Sequence, residues 1–377
     1  MARRSRDTVA LDAIDRIYLR RTYELSERGR GNTAPNPCVG AVVARGTKTL
    51  GEGYHRKRGE PHAEVEALRA AAAAGADVRG ATMYVSLEPC DHTGSTPACS
   101  RALLDAGVAR VVVGTNDPNP AAAGGAVRLR EAGLEVEIAD DPAAGALVED
   151  FAAAIARPLP FVTLKMAASL DGFVAPQHGS TWLTGEVARD FVRELRIAHD
   201  AVLVGSGTVR IDDPQLTVRP PRARLRPYVR VVACEEAPVA IESRVFAPVD
   251  GYARTIVLAP AGLRERFAPL ESVADVLYVG ASDSIELDLT AALEALKVRG
   301  VFSIVCEGGP TLAAQLLLRT LVDRLHWLIA PLLLGNERAV PALAHADAAS
   351  VARALTFDRV ERLGDDLLIS ARLPGGT

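Results

Sequence analysis

The stretch "GEPHAEVEAL" (residues 59–68) places a histidine and a glutamate two positions apart at the start of a predicted helix. Residues at i and i+4 share a helix face, whereas residues at i and i+2 diverge by about 200°. His62 and Glu64 can therefore take different roles at one site. The imidazole can bind a metal ion from one side, while the carboxylate stays unligated and moves protons. Helical periodicity predicts that this helix runs from about 62 to 74 and ends near Gly75.

Around this helix, strand patterns and helix patterns alternate. The strand "VGAVVA" (39–44) is predicted before it, after an amphipathic helix over 9–27. The strands "TMYVSLEP" (82–89) and "RVVVGT" (110–115) follow it, with a helix from Cys99 to Gly107 between them. This alternation predicts an α/β domain with a largely parallel sheet covered by helices.

A second α/β domain is predicted after "FAAAIARPLP" (151–160), where two prolines beside an arginine indicate a boundary near residue 157. The predicted domains are therefore residues 1–157 and 158–377. The alternation restarts with "FVTLKMAASLDGFVA" (161–175), in which Asp171 and Gly172 predict a tight turn. Further helices are predicted at 185–199, 289–298 and 311–323, and further strands at 201–205, 228–233, 255–259, 276–279, 302–309 and 326–334.

Composition narrows the class of protein. A chain of 377 residues is long enough for two separate cores. No apolar run approaches the roughly 20 residues that a membrane-spanning helix requires, so we expect no membrane partner. A formal charge of -4 argues against nucleic acid as a partner, because phosphate-backbone binding needs clustered Lys and Arg. Five cysteines, an odd and sparse set, predict a reducing cytoplasm in which a functional pair holds a metal rather than forming a disulfide.

Two cysteines complete a candidate metal site with His62. Cys90 follows Pro89 at a strand end, and Cys99 begins a helix whose N-terminal dipole favours a thiolate. Catalytic zinc takes three such ligands and keeps a fourth position for water, although another thiophilic ion could bind. His92 is a rival ligand in the intervening loop. The order H-x-E and then P-C-x-x-C is the zinc-deaminase signature, but here eight residues separate the cysteines.

A second candidate site lies in "IVCEGGPTLAAQ" (304–315), which reads as a strand, two glycines and a helix start near a proline. Backbone N–H groups at a helix start bind anions, and the glycines let a ligand approach closely. The segment suits a cofactor pyrophosphate. It is equally typical of an ordinary tight turn between a strand and a helix.

With these residues assembled, the sequence resembles the RibD family of bifunctional riboflavin-biosynthesis deaminase/reductases along nearly its whole length. The matching stretches in the first half are "TAPNPCVGAVV", "GYHRKRGEPHAEVEAL", "LEPCDHTGSTPAC" and "NDPNP"; those in the second are "LKMAASLDG", "STWLTGEVARDFVRELR", "GSGTVRIDDPQLTVR" and "CEGGPTLAAQLL". The resemblance implies a cytidine-deaminase-like three-layer α/β/α domain followed by a dihydrofolate-reductase-like α/β domain. It also implies a homo-oligomer.

The implied activities are consecutive. The first domain would hydrolytically deaminate 2,5-diamino-6-(5-phosphoribosylamino)pyrimidin-4(3H)-one, and the second would use NADPH to reduce the ribosyl side chain of the product to ribityl. By resemblance, Zn2+ is bound by His62, Cys90 and Cys99, and Glu64 shuttles protons. Asn36 and His55 would hold the deaminase substrate. Ser95 stands where family members often carry a basic residue, so Lys57 or Arg58 would have to serve the substrate phosphate.

The resemblance also implies the residues of the reductase site. Those expected at NADPH are Ala167, Trp182, Thr208, Asp212, Gly309, Pro310, Thr311, Leu312, Ala313, Ala314 and Gln315. Those expected at the small-molecule pyrimidine ribosyl phosphate are Ser180, Arg196, Leu216, Arg219 and Glu307. Guanidinium groups suit a sugar phosphate because they make multidentate contacts. Lys165 and Glu307 are the candidates for proton delivery.

Three other hypotheses remain open from the sequence. The first is a nucleic-acid or free-nucleoside deaminase fused to an unrelated reductase, which would need a basic groove. The second is a binding or regulatory module with inactive sites, although all four residues of the metal site and its proton shuttle are present. The third is a protein in which only one half is active, with Ser95 the reason to question the deaminase.

Overall fold

The computed structural model describes residues 11–92, 98–175, 183–335, 339–344 and 355–373. The chain forms two compact units, residues 1–155 and 156–377. The functional division at 1–157 and 158–377 remains a prediction. Among the described residues, no helix is both long and apolar enough to cross a membrane.

The first unit contains one five-stranded sheet in the order β2-β1-β3-β4-β5. Its elements are α1 (Ala13–Glu27), β1 (Gly40–Arg45), β2 (Lys48–Tyr54), α2 (Ala63–Ala73), β3 (Thr82–Leu87), α3 (Cys99–Ala106), β4 (Arg110–Thr115), α4 (Gly125–Glu131), β5 (Glu135–Ile138), α5 (Pro142–Leu147) and α6 (Glu149–Ala156).

The expectation of a largely parallel first sheet is corrected by the pairing. Strand β1 is antiparallel to both β2 and β3, and only the pairs β3–β4 and β4–β5 are parallel. Only two residues separate β1 from β2, and Gly46 there has φ 58°. Such a short connection can join antiparallel strands but not parallel ones. The sequence analysis does not predict β2, which reverses the chain direction before α2, so that β3 runs antiparallel to β1 and the sheet is mixed.

Helices cover both faces of this sheet, which confirms the three-layer α/β/α arrangement. Successive strand residues point to opposite faces. Val43 and Val111 pack with α2, α3 and α4, while Val42 and Val112 pack with α1. The Ala-rich α2 buries Ala63, Ala67 and Ala71 against the sheet.

The second unit contains a nine-stranded sheet in the order β11-β10-β9-β8-β12-β6-β13-β16-β15 and a separate pair β14-β7. Its strands are β6 (Phe161–Ser169), β7 (Phe173–Ala175), β8 (Ala201–Gly205), β9 (Val229–Ala233), β10 (Ile256–Pro260), β11 (Asp275–Val279), β12 (Ser303–Cys306), β13 (Arg324–Ala330), β14 (Val340–Pro341), β15 (Thr356–Leu363) and β16 (Asp366–Arg372). Its helices are α7 (Glu186–Ala198), α8 (Ser206–Asp212), α9 (Arg264–Phe267), α10 (Leu289–Val298) and α11 (Pro310–Leu318), with short 3-10 turns at Arg244–Phe246, Ala261–Leu263 and Ala268–Ser272.

This unit contains elements that the sequence does not predict, among them α8 and β14, and two further differences are informative. Helix α11 ends at Leu318 instead of continuing to 323, because Thr320 adopts a left-handed conformation with φ 57°. The hairpin of β15 and β16 was not anticipated. Strand β15, "TFDRVERL", is almost entirely exposed and lacks the apolar alternation that marks a half-buried strand.

The parallel strands β6, β8 and β12 lie side by side at the centre of the sheet. Their carboxyl ends therefore meet at one edge, where ligands bind in open α/β sheets. Chain segments that follow β8 and β12 begin α8 and α11 at this edge. The second candidate site is built there.

Candidate active sites

The first site depends on a close approach between α2 and the sheet. A Cβ atom on Gly53 of β2 would lie 2.4 Å from the Ala67 amide nitrogen and 2.5 Å from the Ala63 carbonyl oxygen. Glycine thus lets the helix backbone lie directly on the strand. The N-cap of this helix is His62, and Glu64 is in its first turn. The stretch that indicated the site therefore lies at the start of α2, and the close contact at Gly53 sets the distance between this helix and the sheet.

The structure brings His62, Cys90 and Cys99 together. His62 Nδ1 lies 3.6 Å from Cys90 Sγ and 3.3 Å from Cys99 Sγ, and the three ligand atoms all fall within 4.8 Å of one another. Tetrahedral zinc, with bonds of about 2.0 Å to nitrogen and 2.3 Å to sulfur, places such atoms about 3.5 Å apart. The residues present therefore fit a zinc ion. His92, the rival ligand, is not part of this cluster.

The electrostatics of the cluster favour a thiolate. The Cys99 side chain, with help from His62, lowers the pKa of Cys90 to about 4, although burial opposes this. The pKa of Cys99 is raised, first because its thiol donates to Cys90 and second because it is buried. The backbone N–H of Cys99 also donates to Cys90 Sγ at 3.5 Å.

Glu64 is nearly fully buried beside these ligands, with 3% of its surface exposed. Burial raises the pKa of its carboxyl, and the neighbouring His62 partly offsets the effect. A raised pKa moves a carboxyl toward the working pH, which favours general acid–base catalysis. His62 thus belongs to the three-residue cluster, whereas Glu64 lies beside it and lines the same cavity.

Glu88 is a structural member of the site that the sequence analysis did not single out. Its buried carboxylate accepts hydrogen bonds from the backbone N–H groups of Asp117 (3.3 Å), Gly124 (3.1 Å) and Ala126 (3.0 Å). These bonds fix the segment Pro89–Cys90 against the start of α4. The available signal was a carboxylate inside an otherwise apolar strand end, directly before the Pro-Cys pair.

A cavity of about 350 Å³ opens onto the cluster. Asn36 and His55 both line it, with Asn36 Nδ2 3.3 Å from His55 Nε2 and His55 Nδ1 3.1 Å from the Pro61 carbonyl oxygen. Arg58 also lines the cavity. Lys57 does not line it and pairs instead with Glu60 at 3.3 Å. Of the two basic residues considered for a substrate phosphate, only Arg58 faces the cavity, and Ser95 lies outside the described residues.

The second site is a cavity of about 1270 Å³ at the carboxyl edge of the nine-stranded sheet. Thirteen of the residues expected at the reductase site line it: Lys165, Ala167, Arg196, Thr208, Asp212, Leu216, Arg219, Glu307, Gly309, Pro310, Thr311, Leu312 and Gln315.

Four residues of the expected set are not in this lining. Ser180 and Trp182 lie outside the described residues. Ala313 and Ala314 are buried on α11 and do not line the cavity. The run from Gly309 to Gln315 thus presents one helix face to the cavity and the other to the core, as α-helical periodicity requires.

An ion cluster lies on the cavity wall. Arg196 binds Glu307 through two parallel hydrogen bonds, Nε to Oε1 at 2.5 Å and Nη2 to Oε2 at 2.7 Å, and its Nη1 donates to the Thr217 carbonyl oxygen at 2.9 Å. Burial alone would raise the pKa of Glu307, but Arg196 and Lys165 hold it below its ordinary value. Burial lowers the pKa of Lys165, while Glu307 opposes that shift.

Two further arginines reach the cavity from α7. Arg189 and Arg193 line it together with Arg196. Spacings of four and three residues put the three on one face of a helix. The signal was therefore available in "ARDFVRELR", but the sequence alone could not say that this face meets the cavity.

Comparison with known proteins decides the family. The family described as "RibD C-terminal domain" matches residues 160–369, and the "Cytidine and deoxycytidylate deaminase zinc-binding region" matches residues 13–115. The RibD riboflavin biosynthesis protein of Aquifex aeolicus is 38% identical over 361 residues, covering 94% of this chain and 98% of that protein. The chain belongs to the RibD family.

Other RibD proteins agree along the whole chain. The Escherichia coli RibD protein is 38% identical over 372 residues, covering 94% of this chain and 98% of its own length. A crystal structure from Thermotoga maritima, titled as a diaminohydroxyphosphoribosylaminopyrimidine deaminase and 5-amino-6-(5-phosphoribosylamino)uracil reductase, is 32% identical with a TM-score of 0.83. It covers 96% of this chain and 99% of the other. Acinetobacter baumannii RibD matches with a TM-score of 0.77, 33% identity and the same coverages.

Proposed function

We propose that this RibD-family chain catalyses two consecutive reactions on one phosphorylated intermediate. The first is hydrolytic deamination of 2,5-diamino-6-(5-phosphoribosylamino)pyrimidin-4(3H)-one to 5-amino-6-(5-phosphoribosylamino)uracil. The second is NADPH-dependent reduction of the ribosyl chain, which yields 5-amino-6-(5-phosphoribitylamino)uracil. The observation that carries the proposal is that each unit holds its own cavity, one beside the His62–Cys90–Cys99 cluster and one around the Arg196–Glu307 pair.

In the first unit, His62, Cys90 and Cys99 would hold zinc. Zinc, when bound there, supplies Lewis acidity and lowers the pKa of a water ligand. Glu64 takes the proton from the water and delivers it to the leaving amine. Asn36 and His55, which contact each other on the cavity wall, hold the pyrimidine, and Arg58 faces the substrate phosphate.

In the second unit, the cofactor would lie along Thr208 and the start of α11. NADPH, when bound, supplies the hydride. Arg219 and the α7 arginines face the substrate phosphate, since guanidinium groups bind phosphate through several hydrogen bonds. Lys165 lines the cavity, and burial lowers its pKa while the charge of Glu307 opposes that shift, which supports Lys165 as the group that delivers a proton as the ribose ring opens.

Two separate assays test the division of labour. One measures ammonia release from the diaminopyrimidine phosphate, and the other measures NADPH oxidation with the deaminated product. Glu64→Ala should reduce ammonia release by a factor of about 10² to 10⁴ and leave NADPH oxidation unchanged.

The matched control is Glu66→Ala, two residues along the same helix. Glu66 pairs with Arg56 and Arg69 at the surface and does not line the cavity. This variant should keep both activities. Loss of both activities in Glu64→Ala, or survival of both, would contradict the proposed roles.

We further propose a cytoplasmic location and a homo-oligomeric state. The five cysteines are all unpaired and buried, as suits a reducing compartment. Cell fractionation tests the location. Light scattering of the purified protein tests the oligomeric state, and a monomer at micromolar concentration would exclude the homo-oligomer.

A further inference from the structure

A buried arginine lies behind the reductase cavity, and no carboxylate of the described residues pairs with it. Arg230, on β9, has 2% of its surface exposed and ranks among the largest fully buried side chains. Among the described residues it makes no salt bridge, and its Nε has no hydrogen-bond partner. A buried charge without a counter-ion is costly to fold, so its position calls for a reason.

Within the described part of the chain, the guanidinium of Arg230 donates to backbone carbonyl oxygens alone. Its Nη2 donates to Ala247 at 3.0 Å, and its Nη1 reaches the Gln215 carbonyl oxygen at 3.5 Å. The same guanidinium lies over the ring of Tyr252, 5.4 Å from the centroid. The Tyr252 hydroxyl in turn accepts a hydrogen bond of 2.7 Å from the backbone N–H of Val218.

The Arg230–Gln215 contact and the Tyr252–Val218 contact both end on one short segment, residues 213–219, which we call the substrate loop. Leu216 and Arg219 of this loop line the cavity, and the Thr217 carbonyl oxygen accepts from Arg196. Arg219 is itself held within the loop, donating to Thr217 Oγ1 at 3.2 Å and to Gln215 Oε1 at 3.0 Å. The loop thus sets the position of two arginines of the site.

The backbone of the substrate loop is strained. Asp213 has φ 40° and Leu216 has φ 54°, and both are non-glycine residues in the left-handed region. A non-glycine residue in this region is disfavoured by the contact between its Cβ and the backbone, and it persists only where the surroundings impose it. Tyr252 and Arg230 contact the loop from behind, and neither lines the cavity.

We propose that Tyr252 and Arg230 are positioning residues for the reductase substrate: they hold the substrate loop so that Leu216 and Arg219 face the cavity and Thr217 receives Arg196. They do not touch the reacting atoms. This inference rests on the proposed function, because it assigns the loop to the phosphorylated substrate rather than to the cofactor.

The sharpest test is Tyr252→Phe, which removes one oxygen atom and keeps the aromatic ring. The buried Val218 N–H then loses its acceptor. We expect KM for the deaminated intermediate to rise about tenfold, with kcat changed less than about twofold, because the loss falls on ground-state binding. Affinity for NADPH, measured by titration without substrate, should stay at the wild-type value.

Tyr228→Phe is the matched control. Tyr228 stacks on Tyr252 with ring centroids 4.9 Å apart, but its hydroxyl donates only to Arg222 at 3.4 Å and contacts no residue of the substrate loop. This variant should keep the wild-type KM. It therefore separates the hydroxyl contact from a general weakening of the stacked pair.

Hydrogen exchange gives a readout that needs no catalysis. In Tyr252→Phe the peptide that contains Val218 should exchange at least about tenfold faster than in wild type, while peptides of β8 and β12 keep their rates. Unchanged KM and unchanged exchange would overturn the inference while wild-type reduction stands. Absence of NADPH oxidation in the wild type would instead contradict the proposed function.

Discussion

At the residue scale, the deaminase site depends on three side chains that come from three separate segments. His62 is the N-cap of α2, Cys90 follows β3, and Cys99 begins α3. Each position lies at or near the start or end of a helix or strand, so the ligands project from rigid supports. Their atoms already stand at the separations that a tetrahedral ion requires.

Cys99→Ser should lower the bound zinc to well below one equivalent per chain, because a serine hydroxyl is not deprotonated near neutral pH and binds zinc weakly. Metal analysis of the purified protein measures this. Cys38→Ser is the control: Cys38 Sγ lies 3.3 Å from Thr33 Oγ1, so a serine can keep that contact, and Cys38 is not in the cluster. Equal zinc in both variants would remove Cys99 from the ligand set.

At the element scale, the start of α4 determines where the Cys90 segment lies. A Cβ on Gly125 would fall 1.8 Å from the Pro89 carbonyl oxygen, far inside van der Waals contact. Glu88 accepts from two amide groups of the same helix start. Helix α4 and the end of β3 are thus fitted to each other with no space between them.

Gly125→Ala should push Pro89 and Cys90 away from α4 and weaken zinc binding by about 10 to 100-fold, the range seen when supporting contacts of a metal site are lost. Competition with a fluorescent zinc chelator measures the affinity. Gly145→Ala, in helix α5, is the matched control, since no atom lies within 4 Å of the added carbon. It should keep zinc affinity and raise the free energy of unfolding by about 0.5 to 1 kcal/mol. Normal zinc affinity in Gly125→Ala would contradict the fitted contact.

At the scale of the whole molecule, the two cavities are built from separate units. Every lining residue of the larger cavity falls within 156–377, and every lining residue of the smaller one falls within 1–155. Each of the two candidate sites is therefore built by residues of one unit alone.

Removal of zinc with 1,10-phenanthroline should abolish ammonia release and leave NADPH oxidation within about twofold of its starting rate, because His62, Cys90 and Cys99 are the metal-binding cluster of the described residues. Added zinc should restore the first activity. Ammonia release that survives complete chelation would contradict the metal site, and loss of both activities would contradict the independence of the units.

Stability of the second unit should depend on pH through His326. This histidine is buried between strands, 2.8 Å from Ser370 Oγ and edge-on to Phe191. Burial, with the nearby charges of Arg324, His199 and Arg359, lowers its pKa to about 3. The unfolded chain, with a pKa near 6.5, binds the proton more readily, so stability falls as pH drops below about 6.5.

Between pH 7.5 and pH 5 this single group should cost about 2 kcal/mol of unfolding free energy, at 1.36 kcal/mol per pH unit below its ordinary pKa. Urea unfolding of wild type and His326→Gln at both pH values measures it. The variant should lose less stability than wild type on acidification. An identical loss in both proteins would show that His326 does not carry the effect.

Much of the architecture follows from the sequence, and the misses have physical causes. Helix α10 covers 289–298 as predicted, and the side chain of its N-cap Asp288 accepts a hydrogen bond from the Ala291 N–H. The sequence does not predict β2, the run α4, β5 and α5, or the hairpin of β15 and β16. Strand β15 carries charged, exposed residues, and β2 alternates glycine with polar residues, so neither shows an apolar period.

What the sequence determined by itself is local: the strand and helix alternation, the histidine and glutamate at a helix start, the two cysteines at element ends, and the resemblance that these motifs carry. Such patterns depend on neighbours a few residues away. Only the tertiary structure decided the rest. The sequence indicates that His62, Cys90 and Cys99 form one site, and the structure supplies the distances between their ligand atoms. The structure also runs β1 antiparallel to its neighbours and joins Arg196 to Glu307 across 111 residues. It places Tyr252 and Arg230 behind the substrate loop. Those contacts depend on how distant elements pack, and no local pattern specifies packing between surfaces far apart in the chain.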